Sequence, residues 1–222
     1  MTIREVVHRL RTRGLVGPAY KGLVGKARLA FEELVARREV VLLAEPADLV
    51  DDTGENVGFQ LMFVRSLPGL AKHADQIDAA YHPGYTARWR TAFDRGEELV
   101  LAFRGGRVAG FGWVQTGTRE GIPCHYRVIT TGEARILRVG VLPAFRRQGV
   151  NTAFYVLLLK ELFSRGARRI YIDSSRNNLP SLRAQLRAGF RPIATILVRG
   201  SLLGGGVMRR QDVRSHAPFL LQ

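Results

Sequence analysis

At 222 residues the chain has the length of one domain, and 46% hydrophobic against 24% charged residues supplies enough apolar material for a core. A formal charge of +15, from 34 Lys and Arg against 19 Asp and Glu, points to anionic partners: a phosphorylated cofactor, a nucleic acid or an anionic membrane surface. The same excess, carried mostly by Arg, is also what a compositional bias would leave. One cysteine, Cys124, excludes an internal disulfide, and the lack of an apolar run of about 18 residues excludes a spanning helix.

The N-terminal residues lack the continuous apolar stretch and small-residue cleavage site of a secretory leader, so a cytoplasmic protein is expected. Residues 2–13 alternate Ile3, Val6, Val7 and Leu10 with Arg4, Arg9, Arg11 and Arg13, the pattern of a short amphipathic helix with a basic outer face. After Gly14 and Gly17-Pro18, residues 19–37 repeat the pattern. Residues 1–31 suit either packing on the domain or peripheral contact with an anionic membrane. Glu39–Ala44 reads as a short strand. Residues 46–56 form a polar connection whose Asp48, Asp51 and Asp52 match no metal-ligand spacing, so no metal is expected. The boundary between an N-terminal extension, 1–56, and the main domain, 57–222, is placed there.

Residues 57–65 alternate as a strand, and 67–81 and 85–93 read as helices broken at His82-Pro83-Gly84. Strands at 98–104 and 107–115 are joined by Gly105-Gly106, a hairpin turn that needs positive φ. A short strand follows at 125–130. The central strand, Ile136–Val141, ends at Pro143, which has no N–H to give a ladder. A basic glycine-bearing loop then leads into an apolar helix from about 151 to 163. Strand, loop and helix in this order aim free N–H groups at an anion, and Arg146 and Arg147 add charge. A strand at 169–173, a short helix at 181–188 and strands at 192–198 and 207–210 complete the chain, a mixed α+β order.

Val141-Leu142-Pro143-Ala144-Phe145-Arg146-Arg147-Gln148-Gly149-Val150-Asn151-Thr152-Ala153 resembles the acyl-coenzyme A signature of the GNAT acetyltransferase superfamily. Arg146 and Gly149 fall on its fixed positions; Asn151 stands where Gly or Ala is usual, and Arg147 where Gly is common. Asn177 to Phe190 resembles the later block of that family, an Asn, a short helix and a closing Gly-Phe. The resemblance implies a single α+β GNAT-like domain over about 57–210, with a central β-sheet that splays and admits the cofactor, plus an N-terminal helical extension. It implies an N-acetyltransferase using acetyl-coenzyme A or another acyl-coenzyme A. The basic segment 1–31, resting on an anionic surface, would suit a small-molecule amine or a glycan- or lipid-linked amino sugar as acceptor. The cofactor would contact Val139, Val141, Arg146, Arg147, Gln148, Gly149, Val150, Asn151, Thr152 and Asn178. Backbone N–H groups around Val139 to Val141 would polarise the carbonyl.

The family often carries a tyrosine acid where this chain has Gln185. Glu133 and Asp173, at strand ends, are candidate bases, and both are also placed to pair with Arg135, Arg138 or Arg176. Ser181 is a candidate proton donor as well as an ordinary cap residue. Cys124 and His125 are conceivable as a nucleophilic pair, but neighbours on an extended chain point oppositely, which disfavours it. Tyr81, Tyr85 and Trp89, from the helical pair that borders the family's acceptor pocket, are candidate substrate contacts, although aromatic residues at helical spacing also build core. A catalytically silent GNAT-like module and a basic nucleic-acid-binding protein are the alternative functions; nucleic acid is the less expected partner. Oligomeric state is not legible.

Overall fold

The computed structural model describes residues 36–50, 58–124, 126–199 and 209–210. The basic helices expected over 2–37 lie outside these residues except at 36 and 37, which belong to a strand; their membrane contact and His125 also lie outside. Residues 39–196 make up the compact unit that carries every feature below; residues 197–210 group separately with 1–38. In that second grouping, β10 (Arg209–Arg210) pairs antiparallel with Leu197 and Val198 at the end of β9 (Arg191–Arg199).

The fold is the mixed α+β sheet expected, with order β10-β9-β1-β8-β7-β4-β3-β2. Strands β2 (Phe59–Val64), β3 (Glu98–Arg104) and β4 (Arg107–Thr116) form an antiparallel meander. Gly105 and Gly106 turn the β3–β4 hairpin at φ of 56° and 73°, values that a side chain tolerates poorly. β7 (Glu133–Val141) runs antiparallel to β4 and parallel to β8 (Arg169–Ser175), with helix α3 (Val150–Ser164) crossing between them.

One expectation is corrected here. β1 (Ala36–Ala44), assigned from sequence to the extension, lies inside the sheet between β8 and β9, and Glu39 to Ala44 pair antiparallel with Ser175 to Ile170. Its unbroken apolar run explains the placement. Val40, Val41, Leu42, Leu43 and Ala44 are all buried, as a strand covered on both faces requires. A division at residue 56 therefore cuts the sheet.

One face is covered by α3 and α4 (Leu179–Arg187), which bury Leu158, Leu159, Leu162 and Leu182 against Leu42, Ile136, Ile170 and Ile172. α3 is apolar almost all round because it meets both the sheet and α4. The other face is shared. Over β2 to β4 lie α1 (Leu67–Tyr81) and α2 (Arg90–Asp94), burying Leu70, Ile77, Trp89, Phe111 and Trp113. Over β8 and β1, Ile129 packs on Tyr171 and Leu43. Ile129 belongs to the two-residue hairpin of β5 (Ile122–Pro123) and β6 (Val128–Ile129), shorter than the strand expected at 125–130. The helix expected at 85–93 is also shortened, to a 3-10 turn at Ala87–Trp89 followed by α2. Asp78 accounts for this, because its carboxylate accepts the N–H groups of Gly84 (3.0 Å) and Thr86 (2.8 Å) and fixes the preceding loop.

The Gly-Phe that closes the second block has a structural cause. Gly189 ends α4 at φ +103°, and a Cβ there would stand 2.1 Å from the carbonyl oxygen of Asp48. Phe190 N–H meanwhile returns to the Gln185 carbonyl at 3.1 Å, the closure of a helix by a left-handed residue. Gly189→Ala should therefore lower stability by about 2 kcal/mol or more, from left-handed strain plus the backbone collision. Urea unfolding of the two proteins measures it, and an unchanged midpoint contradicts it.

Candidate functional site

The site begins where two parallel strands stop pairing. β7 and β8 are registered from Glu133 with Arg169 to Ile136 with Ile172, and no further. β7 nonetheless runs on to Val141 and β8 to Ser175. The cause lies on the opposite edge of β7. Trp113 faces Leu137 and Phe111 faces Gly140, so Arg138 and Val139 stand opposite Gly112 alone. Two residues against one is a β-bulge, which increases local twist and swings the strand end away. Arg138 takes φ +48° to make it, at a conformational cost of about 1–2 kcal/mol for a residue with a Cβ. Gly112 leaves room for the ring of Phe154, which a Cβ would meet at 2.7 Å. From Leu137 to Val141, β7 has no registered partner on its β8 side.

Arg135 and Asp173 mark the vertex of the split. The guanidinium donates from Nε (3.0 Å) and Nη2 (2.6 Å) to Asp173 Oδ1, with the two side chains only 11% and 15% exposed. Burial pushes the Arg135 pKa down, but the adjacent Asp173 charge, reinforced by the Tyr126 phenol, raises it overall. Asp173, a candidate base, thus stands at the split in an ion pair with Arg135, one of the partners expected for it. Glu133 does not share the split. It lies at the other end of β7, where Oε1 accepts from Arg127 (2.7 Å) and Tyr171 (3.3 Å) and Oε2 from the N–H (3.0 Å) and hydroxyl (3.2 Å) of Thr130.

Beyond Val141, Pro143–Phe145 make one 3-10 turn. Arg147 and Gly149 then both take left-handed conformations, at φ 62° and 73°. Gln148 braces the loop: its amide donates to Ala144 O (2.9 Å) and accepts from Arg104 (2.9 Å). Gly149 caps α3 through Ala153 N–H, which donates to Gly149 O at 3.0 Å. The N–H groups of Val150, Asn151 and Thr152 fall in the first turn, where a helix offers no internal acceptor. Arg146 and Arg147 are exposed beside them, and Arg146 Nε donates to Val141 O at 3.3 Å. A Cβ built on Gly149 would meet nothing within 4 Å. The result is an open, positively biased cup at a helix N-terminus, an arrangement that favours anions.

The second block supplies the other wall. Asn178 caps α4 by accepting from Ser181 N–H at 3.4 Å, a structural role beside the cofactor contact expected of it. Gln185 is completely buried, and its amide nitrogen lies 2.7 Å from Ser174 Oγ, 3.1 Å from Ser181 Oγ and 3.2 Å from Tyr155 Oη. Its amide oxygen is buried without a hydrogen-bond partner among the described residues. Ser174 lies two residues beyond Ile172, the last registered residue of β8, so this buried polar cluster adjoins the unpaired end of that strand. Burial keeps the Tyr155 hydroxyl protonated by pushing its pKa up, against the opposing bonds from Gln185 and Ser181. Tyr155 was not anticipated; its signal was the single hydroxyl in an otherwise apolar helical run.

The three aromatic candidates divide. Trp89 is core, 4.9 Å from Phe111 and 5.5 Å from Trp113 between ring centroids. Tyr81 and Tyr85 are half-buried and stacked at 4.5 Å, and the Tyr81 hydroxyl donates to Val141 O at 3.3 Å. They edge the loop side of the split.

A mixed sheet whose central parallel pair parts beside a strand–loop–helix anion cradle defines the GNAT fold. Residues 65–190, more than half of the chain, match the acetyltransferase (GNAT) family, and the chain belongs to that family. Among solved structures it is similar to a GNAT-family acetyltransferase from Colwellia psychrerythraea, with TM-score 0.52, 17% identity and coverage of 72% of this chain and 54% of the other. A GCN5-related N-acetyltransferase from Sphaerobacter thermophilus gives TM-score 0.51 at 18% identity, covering 86% and 58%. The glucosamine N-acetyltransferase region of a fungal multi-domain GH3 beta-N-acetylglucosaminidase gives 0.53 at 16%, covering 77% and 22%. The chain spans less than two thirds of each, and these likenesses show the fold. No curated protein matches the chain.

Two outcomes follow from the strand ends. Asp173→Asn leaves Arg135 buried without its countercharge and should cost about 3 kcal/mol in urea unfolding; a loss under about 1 kcal/mol would show that the pair does not hold the vertex. For Glu133, burial pushes the carboxyl pKa up, but the Thr130 N–H, the Arg127 charge and the Thr130 and Tyr171 hydroxyls outweigh it and hold it below the ordinary 4.5. The clamp therefore stabilises fully above that value and is lost as pH falls through the folded-state pKa. Glu133→Gln should flatten the acid side of the stability–pH curve, and an acid side unchanged in the folded variant contradicts this.

Proposed function

We propose that the protein is an acyl-coenzyme A-dependent N-acetyltransferase that transfers acetyl from acetyl-coenzyme A to a primary amine of a small molecule or of a glycan- or lipid-linked amino sugar. The observation that carries it is the parting of β7 from β8 directly beside the open cup at Gly149. Bound there, acetyl-coenzyme A supplies an acyl carbon activated as a thioester.

The residues divide the work as follows. Arg146 and Arg147, with the N–H groups from Gln148 to Thr152, hold the diphosphate. Val139 to Val141, unregistered on the β8 side, offer backbone N–H groups to the developing oxyanion; fixed donors in a partly dry cleft stabilise such charge without reorganising. Asp173 takes the amine proton through water, and Ser181 holds a proton at Oγ on the opposite wall. Gln185, which cannot serve as an acid near neutral pH, positions Ser181. Tyr81 and Tyr85 wall the acceptor side. Glu133 lies outside this group.

Calorimetry with coenzyme A and with duplex DNA tests the reading. Heat from coenzyme A and thiol release with an amine panel are expected. Salt-sensitive DNA binding with no coenzyme A binding overturns it, and coenzyme A binding without thiol release from any amine favours the silent module. Gly149→Glu places a carboxylate in the cup and should weaken coenzyme A binding by about two orders of magnitude. Arg146→Ala should weaken it about tenfold. Normal binding by folded Gly149→Glu removes the cup from the cofactor site.

A further inference from the structure

A cavity of about 500 Å³ opens beside the C-terminal end of α3. Val114, Ala134, Leu162 and Ala167 supply its apolar lining, and Arg65, Arg165 and Arg168 stand around it. Its volume lies within the roughly 300–1,000 Å³ of small-molecule sites, which combine an apolar lining with a few placed polar groups. Neither the cup at Gly149 nor the unregistered stretch of β7 contributes a residue to it. β7 enters only through its first residues, Glu133 and Ala134, so the cavity lies at the end of that strand opposite the split.

The cationic wall is held in place. Just past α3, Gly166 takes φ +90° and Ala167 N–H returns to Leu162 O at 3.0 Å, which closes the helix. The chain is then tied to the turn before β7, because Arg168 N–H donates to Gly132 O at 2.7 Å. The Arg168 side chain folds over the same residue. A Cβ on Gly132 would stand 2.9 Å from its Nε and 3.0 Å from its Nη2, so the seat of this guanidinium exists only while residue 132 is glycine.

The charges around the cavity fix the sign of its ligand. Each acid has its own cation: Glu98 pairs with Arg65 at 3.3 Å, Glu161 with Arg165 at 2.8 Å, and Glu133 with Arg127 at 2.7 Å. Arg165 is further fixed over the ring of Phe63, at 3.6 Å from its centroid. Arg168 is the cation left over. Its guanidinium makes no hydrogen bond or ion pair among the described residues, although it is seated on the wall and keeps all five donors.

We infer that this cavity is a second ligand site and that it takes a small organic oxyanion, a carboxylate or phosphate carried on an apolar body. The planar fork of Arg168 matches either head group with two parallel hydrogen bonds, and the apolar body covers Val114, Leu162 and Ala167. The inference is independent of the transferase reading, because no group placed in the cup or at the split lines the cavity.

Calorimetry of the full chain with phenylacetate, phenyl phosphate and the neutral phenylacetamide tests it. At least one of the two anions should bind about tenfold or more tightly than the amide, and comparing the two tells carboxylate from phosphate. Arg168→Gln should weaken that binding about tenfold at an unchanged urea midpoint, since the side chain has no partner to lose. Arg168→Glu should abolish it. Arg146→Ala should leave it unchanged, and saturating coenzyme A should not displace the probe. No binding of either anion at millimolar concentration, an amide that binds as tightly, or an affinity unchanged in folded Arg168→Gln overturns the inference. Loss of the probe in Arg146→Ala, or its displacement by coenzyme A, also overturns it by placing the anion in the cup.

Discussion

A parallel pair of strands in the middle of a sheet ordinarily keeps its hydrogen bonds to the end, because an unpaired buried N–H or C=O is expensive. Here the ladder stops at Ile136 and Ile172 while both strands continue. The bulge at Arg138 and Val139 makes this geometrically possible, and the loop leading into α3 emerges from the end of β7 beside the opening. The split, the cup at Gly149 and the polar cluster around Gln185 are consequences of one event, the early loss of register between β7 and β8.

Charge is placed to limit how far that event runs. The Arg135–Asp173 pair sits at the vertex, two largely buried groups from the two strands that are about to separate. Such a pair adds little net stability over apolar residues, yet removing one member is costly. It therefore acts less as glue than as a stop, fixing the point at which divergence begins. Glu133, four-fold hydrogen-bonded at the far end of β7, secures the opposite terminus of the same strand.

The features legible in sequence were those that depend on local chemistry. The loop from Val141 to Thr152 was readable because left-handed backbone, a missing side chain and flanking arginines leave a residue-type trace. Gly105-Gly106 was readable for the same reason. The position of β1 was not: an apolar run signals burial on both faces but is silent about its neighbours, and Ser175 and Ile170 lie more than half the chain away. Arg138 was invisible as a bulge because nothing in its type demands positive φ. The convergence of Tyr155, Ser174, Ser181 and Gln185 joins two helices and a strand, and no spacing rule links them. Tyr81 and Trp89 were found as a cluster, but their different burial depended on how deeply each reaches towards β4.

The interior place of β1 bears on how the protein is made. Synthesis delivers β1 first, but the strand that receives it, β8, comes only after the loop and α3. Until then a stretch of five consecutive apolar residues has no ladder to join and is exposed in the emerging chain. Contacts this distant in sequence also slow folding once the chain is complete. β1 is thus the earliest of the sheet's described strands to be synthesised, and it must be kept from pairing elsewhere while most of the domain is translated.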